Sequence, residues 1–158
     1  MTTTGRETIR PPRHDATSDE LGILVVRAAK AMVDRLRSEQ PDQASSPMTV
    51  VHGLAARYLM GRDDVTTVDL ARHLRITKQS ASEVVALLEQ AGIVRRAPHP
   101  NDGRARVLLL TNAGKTRLAD SRRRWTQLED EWAELVGRDR LDVVRSALES
   151  YVAADSRG

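Results

Sequence analysis

The 158-residue sequence predicts a mainly α-helical fold with one small β-wing, and three observations predict it. Two short helical patterns, Val68 to Leu74 and Thr77 to Gly92, are separated only by Arg75-Ile76. Two β-prone runs, Ile93 to Ala97 and Arg104 to Leu110, flank the turn-forming cluster Pro98-His99-Pro100-Asn101-Asp102-Gly103. Longer helical patterns on either side carry apolar stripes that nothing in this small head needs for its own core. Together these describe a winged helix-turn-helix domain plus N- and C-terminal dimerisation helices.

The elements follow in order. Residues 1–18 hold three consecutive threonines, Pro11-Pro12 and scattered charges, which predicts a disordered N-terminal arm. Arg6, Arg10 and Arg13 of this arm are either phosphate contacts or part of an inert tail. Residues 19–47 form an N-terminal dimerisation helix and a loop. Ser18-x-x-Leu21 opens that helix, Leu21, Leu24, Val25, Ala28, Met32 and Leu36 form its inward stripe, and it ends near Glu39. Ser46-Pro47 reads as N-cap and first residue of a second helix running to about Met60, with Val51, Leu54, Ala55, Tyr58 and Leu59 inward. Val65 and Thr66 are expected beside the wing as a short third strand.

The DNA-binding domain is expected over 48–112. Thr77 suits an N-cap, because its hydroxyl accepts an orphan N–H of the first turn. Gly92 suits the left-handed residue beyond the helix end. Ala81, Val84, Val85 and Leu88 face the core, while Lys78, Gln79, Ser80, Ser82 and Glu83 make a polar first turn and a half. Residues 113–158 supply the C-terminal dimerisation helices. The first carries Leu118, Ser121, Trp125, Leu128, Trp132 and Leu135 at alternating four- and three-residue steps, too short a seam for an extended coiled coil. After Gly137 the last helix turns Leu141, Val144, Leu148, Tyr151 and Val152 inward. Leu21, Leu24, Trp125, Trp132, Leu141, Leu148 and Tyr151 are the candidate dimerisation residues, with ordinary helix-packing core the alternative for the seam that carries both tryptophans.

Charge distribution narrows the function. The net charge is +3, yet residues 72–106 alone carry +4, so the remainder is slightly acidic. Basic charge gathered on the predicted head is the footprint of phosphate binding. Four aromatic residues and no Phe argue against a base-stacking platform for single strands. The absence of Cys excludes disulfides, thiol sensing and thiolate metal sites. No apolar run approaches the ~20 residues of a membrane span, and the N-terminus lacks the apolar core of a signal peptide. A cytoplasmic protein is expected. No P-loop, dinucleotide fingerprint or nucleophile motif is present, so no enzyme, cofactor or catalytic residue is assigned. His14, His52, His73 and His99 lack metal-ligand spacing, and no metal is assigned.

For base reading, Lys78, Gln79, Ser80 and Ser82 are the candidates. Gln pairs bidentately with adenine and Lys reaches guanine O6 and N7. Glu83 either accepts from cytosine N4 or offsets local charge. Arg104 and Arg106, two apart on a strand, share a face. Arg72, Arg75, Arg95 and Arg96 are phosphate contacts or surface charge.

These residues also resemble a known family. Asp102-Gly103-Arg104, five further residues, then Leu110-Thr111 is similar to the D-x-R-x5-L-T signature of the MarR family of bacterial transcription regulators. Leu70-Ala71, Leu74, Ile76-Thr77, Leu88-Glu89, Ala91 to Arg96 and Gly114 extend the likeness over about 48 to 118. The resemblance implies a homodimer with interlaced terminal helices that represses by binding an inverted repeat in double-stranded DNA, released by a small-molecule effector. It implies that Arg104 reaches the minor groove or its phosphates, that Asp102 shapes the wing tip or orients an arginine, and that His52 lies near an effector cleft. Core or interface histidine is the alternative for His52, and a structural Asp102–Arg104 pair the alternative for the wing. Arg75 departs from the family, which often has Gly there. Either a left-handed Arg costs ~1 kcal/mol or more, or the turn is shaped differently. A winged-helix protein-interaction adaptor and a non-specific architectural DNA binder are the rival functions.

Overall fold

Helix α1 (Leu21–Ser38) opens the chain, followed by α2 (Val50–Tyr58), α3 (Thr67–Leu74) and α4 (Lys78–Gln90). Strands β1 (Val94–His99) and β2 (Asp102–Leu110) form an antiparallel hairpin, and α5 (Asn112–Val136) and α6 (Arg138–Asp155) complete the order. This is a computed structural model, which describes residues 20–39 and 48–155. The predicted arm, Ser18, the loop from Pro41 to Ser46 and Pro47 lie outside the described residues. The chain forms two compact units, one comprising Val33–Trp125 and the other drawn from residues before 33 and after 125. The division thus falls inside α1 and α5, not at their ends.

The core of the larger unit joins Ala55, Ala56 and Leu59 of α2, Leu70 of α3, Val84, Val85 and Leu88 of α4, Ile93, Val94, Leu108 and Leu118. The expected inward stripe of α4 is buried as predicted. That of α2 is rotated. Val51 and Leu54 are exposed, while His52 and Ala56 are buried. The helix also starts later than Ser46-Pro47 predicted, since Met48 and Thr49 are not helical and Thr49 is the N-cap. The physical reason is a reciprocal cap. His52 occupies the third helical position, and its Nδ1 accepts the Thr49 N–H at 3.0 Å. That contact draws the ring inward and sets which face of α2 meets the core.

The hairpin pairs Val94 with Leu110 and Pro98 with Arg106, with an irregularity after Pro98. Its strands reach further toward the tip than the sequence predicted, leaving only a short turn between His99 and Asp102. The expected third strand is reduced to one bridge, Thr66 to Val107, with the Leu108 N–H donating to Val65 O at 2.8 Å.

Helix α5 is tied to the head at its start. Thr111 is its N-cap: the Gly114 N–H donates to Thr111 Oγ1 at 2.9 Å. The Thr111 hydroxyl donates to Gly92 O at 2.6 Å, and its N–H donates to Ile93 O at 3.0 Å. One residue therefore joins the wing base, the end of α4 and the start of α5.

In the smaller unit, Arg138 bridges to Asp130 at 2.7 Å and Glu129 at 3.7 Å, and Arg145 also meets Glu129. These pairs tie the last turns of α5 to α6. Ala133 and Leu141 are buried there, whereas Leu135, placed inward by its spacing, is exposed. The stripes predicted inward on α1 and α6 are largely open in the single chain. Leu21 is 77% exposed and Tyr151 is 76% exposed, and Leu24, Val25, Val144, Leu148 and Val152 are exposed too. Trp125 and Trp132 are half-buried.

Candidate nucleic-acid interface

The site is built on α3, α4 and the wing. Thr66 caps α3, with Asp69 answering: the Thr66 hydroxyl donates to Asp69 Oδ2 at 2.6 Å and the Thr66 N–H donates at 3.0 Å. These bonds hold the Asp69 carboxyl below its ordinary range, with Arg72 at 3.3 Å adding to them. A fixed α3 sets the angle at which α4 leaves the turn.

That turn is left-handed. Arg75 ends α3 at φ 53° and ψ 42°. The turn therefore has the shape a glycine would favour, and Arg holds it at a steric cost of roughly 1–2 kcal/mol. A second clamp lies behind it. The His73 ring stacks on Tyr58 at 3.7 Å with an interplanar angle of 11°, and the Arg62 guanidinium sits over Tyr58 at 4.6 Å. Arg62 also donates to Tyr58 O at 2.7 Å. This stack joins α2, the linker and α3. It was missed from sequence because residues 58, 62 and 73 belong to different segments and share no periodicity.

Helix α4 begins at the Thr77 cap, whose Oγ1 accepts the Ser80 N–H at 3.1 Å. The helix closes with Gly92 at φ 67°, where the Ile93 N–H reaches back to Leu88 O at 2.9 Å. Its exposed face holds Lys78, Gln79, Glu83, Ala86 and Gln90. The two predicted serines are half-buried and locally engaged. Ser82 Oγ donates to Lys78 O at 2.9 Å, and Ser80 Oγ accepts from the Thr77 hydroxyl at 2.9 Å. Ser82 retains acceptor capacity only, while Ser80 can still donate. Gln79 Nε2 donates to Glu83 Oε1 at 3.4 Å.

On the wing, Asp102 Oδ1 accepts the Arg104 backbone N–H at 2.9 Å. Asp102 thus shapes the turn and does not hold the Arg104 guanidinium. At the same tip the Asn101 N–H donates to His99 Nδ1 at 3.1 Å. Arg104 and Arg106 are exposed on one strand, and Arg95 is exposed on the other. The side chains of Lys78, Arg95, Arg104 and Arg106 meet no partner among the described residues. Arg96 differs. Its Nε donates to Glu89 at 3.0 Å, an exposed pair that fastens β1 to the last turn of α4.

His52 stands apart from this surface. It is 5% exposed, and its Nε2 has no partner among the described residues. Burial lowers its pKa from the ordinary value. The predicted dimerisation residues are not brought into the interface: Leu21, Leu24, Leu148 and Tyr151 lie on exposed faces, and Leu141 is buried on α6.

Known proteins share this arrangement. Residues 46–105 match the sequence model of the MarR family. A helix-turn-helix transcriptional regulator of Mycobacterium bovis is 29% identical over 136 residues, covering 86% of this chain and 90% of the relative. The transcriptional repressor CouR, solved on a 23-mer DNA duplex, superposes with a TM-score of 0.69 at 25% identity, covering 84% of this chain and 92% of CouR. BpsR of Bordetella bronchiseptica, whose DNA binding is regulated by 6-hydroxynicotinic acid, shares the fold with a TM-score of 0.68 at 17% identity, covering 87% of this chain and 96% of BpsR.

Proposed function

Because the chain belongs to the MarR family of winged helix-turn-helix transcription regulators, not to an enzyme family, we propose that it is a sequence-specific repressor of double-stranded DNA. The observation that carries this reading is the coincidence of uncommitted cations with an exposed helix start. Lys78 and Gln79 open the solvent-facing side of α4, and Arg95, Arg104 and Arg106 extend from the wing without partners among the described residues. In the proposed complex the first turns of α4 enter the major groove, Lys78 and Gln79 read base edges, and Ser80 and Ser82 contribute their remaining hydrogen-bonding capacity. Arg104 enters the minor groove, and Arg106, Arg95 and Arg75 bind phosphates. Arg96 serves chiefly to hold the wing on α4, through Glu89.

The protein acts as a homodimer on an inverted repeat. The exposed apolar residues of α1 and α6, among them Leu21, Leu24, Leu148 and Tyr151, are covered by the same helices of a second copy. Two recognition helices then lie about one DNA turn apart. Binding occludes a promoter in the cytoplasm. A small-molecule effector releases the DNA by favouring a different spacing of the two heads, which requires that it bind the two spacings with different affinity. BpsR supports an effector of this kind.

Selection from a pool of random duplexes at about physiological salt tests the reading. An enriched inverted repeat with half-sites about one turn apart is expected. Binding without enrichment would favour an architectural DNA binder. Absence of binding even at low salt would favour a protein-interaction adaptor.

A further inference from the structure

On α3, α4 and the wing, every acid except one is neutralised or locked into the backbone. Asp69 caps α3 and pairs with Arg72, Glu89 pairs with Arg96, and Asp102 holds the Arg104 N–H. Glu83 is the exception. It is exposed in the middle of the α4 reading face, and among the described residues its carboxylate meets no cation, only the Gln79 amide at 3.4 Å.

A bare carboxylate there opposes the purpose of its surroundings. Duplex DNA carries about one negative charge per 1.7 Å of axis, so Glu83 weakens the approach to any sequence. The only major-groove donors that can offset this are cytosine N4–H and adenine N6–H. Adenine N6 lies between two acceptors, its own N7 and the O4 of the paired thymine. Guanine and thymine present acceptors outright. Cytosine N4 is flanked on its outer side by a C–H edge, and there a carboxylate meets the least repulsion.

We propose that Glu83 is a specificity-determining residue that selects a cytosine in each half-site, raising discrimination while lowering affinity for all other DNA. This rests on the reading of α4 as the recognition helix. The contact with Gln79 adds a geometric term. With one amide hydrogen directed along the helix to Glu83, Gln79 keeps its oxygen and its other hydrogen for an adenine edge. The two side chains are one helical turn apart, about 5–6 Å, so the cytosine lies within about two base pairs of the position read by Gln79.

The test compares selections from random duplexes by the full-length protein and by Glu83→Gln. Kd values are then measured on the selected duplex, on the same duplex with the cytosine replaced, and on a shuffled duplex. Glu83 is exposed and its one described contact is Gln79, so the variant is expected to fold, which circular dichroism checks. For the wild type, replacing the cytosine should weaken binding about tenfold or more. For Glu83→Gln the same replacement should cost about twofold or less, the position should become degenerate in selection, and the shuffled duplex should bind several-fold more tightly. The inference is overturned if Glu83→Gln retains the wild-type base preferences at every position, or if it weakens selected and shuffled duplexes equally. A wild type that enriches no repeat at all removes the recognition-helix reading together with this one. An enriched repeat indifferent to the substitution removes this one alone.

Discussion

Gly114 and Ile93 approach so closely that no side chain fits between them: a Cβ on Gly114 would lie 2.2 Å from Ile93 O. The same carbonyl accepts the Thr111 N–H, so the contact sits where wing, α4 and α5 converge. Gly114→Ala sets two effects against each other. Helix propensity favours Ala by about 1 kcal/mol. Overpacking against a backbone oxygen costs about 1–3 kcal/mol or more. The close approach should win, and urea denaturation should show a net loss of stability. An unchanged or raised midpoint would mean that α5 can shift away from Ile93 freely.

Arg75 tests the helix-turn-helix turn. Arg75→Gly relieves the left-handed backbone and should raise stability by roughly 1 kcal/mol, less whatever the flexible unfolded glycine takes back. It should simultaneously weaken DNA binding across all sequences, through loss of a phosphate contact. Opposite signs in the two assays separate the backbone from the guanidinium. Equal loss in both would show that the side chain supports the turn.

His52 links stability to pH. Its Nδ1 accepts from Thr49, and a protonated ring cannot do so. Burial lowers its folded pKa below the ordinary 6.5. The unfolded chain therefore binds the proton more readily, and stability rises with pH through that window. The contribution is complete above about pH 6.5 and is lost as pH falls through the depressed folded value. His52→Gln keeps an acceptor for the Thr49 N–H, as capping boxes do, and removes the titration. Denaturation curves at neutral and mildly acidic pH should converge for His52→Gln more than for the wild type. Identical pH dependence in both proteins would locate the titration elsewhere.

The wing and the recognition helix should fail differently. Arg104→Ala is expected to weaken binding to cognate and random duplexes alike and to flatten the salt dependence. Gln79→Ala should cost about 1–3 kcal/mol on the cognate site alone and relax the preference at one position. Fluorescence anisotropy over a salt series distinguishes them. Uniform loss from Gln79→Ala would place that side chain on the backbone and not on a base.

Much of this architecture was legible in the chain because its punctuation is chemical. Thr77 and Gly92 bound α4, Thr111 caps α5, and the cluster from Pro98 to Gly103 forces the wing turn. The register of α2 was not legible. The run Val50 to Tyr58 has apolar residues on more than one side, so periodicity favoured Val51 and Leu54 over His52 and Ala56. The deciding contact is a histidine used as a cap. The exposed stripes of α1 and α6 were expected inward because periodicity marks an apolar face without saying what covers it. Within the site, the i to i+4 spacing of Gln79 and Glu83 was visible, whereas the stacking of His73 on Tyr58 arises only from tertiary placement.

Sequence-specific binding of duplex DNA by α4 and the wing is measured as a specificity ratio. Kd is measured at one fixed, near-physiological salt concentration on the selected inverted repeat and on a shuffled duplex of equal length. A ratio of about 10³ or greater is expected. A ratio near one, with tight binding to both duplexes, would contradict it.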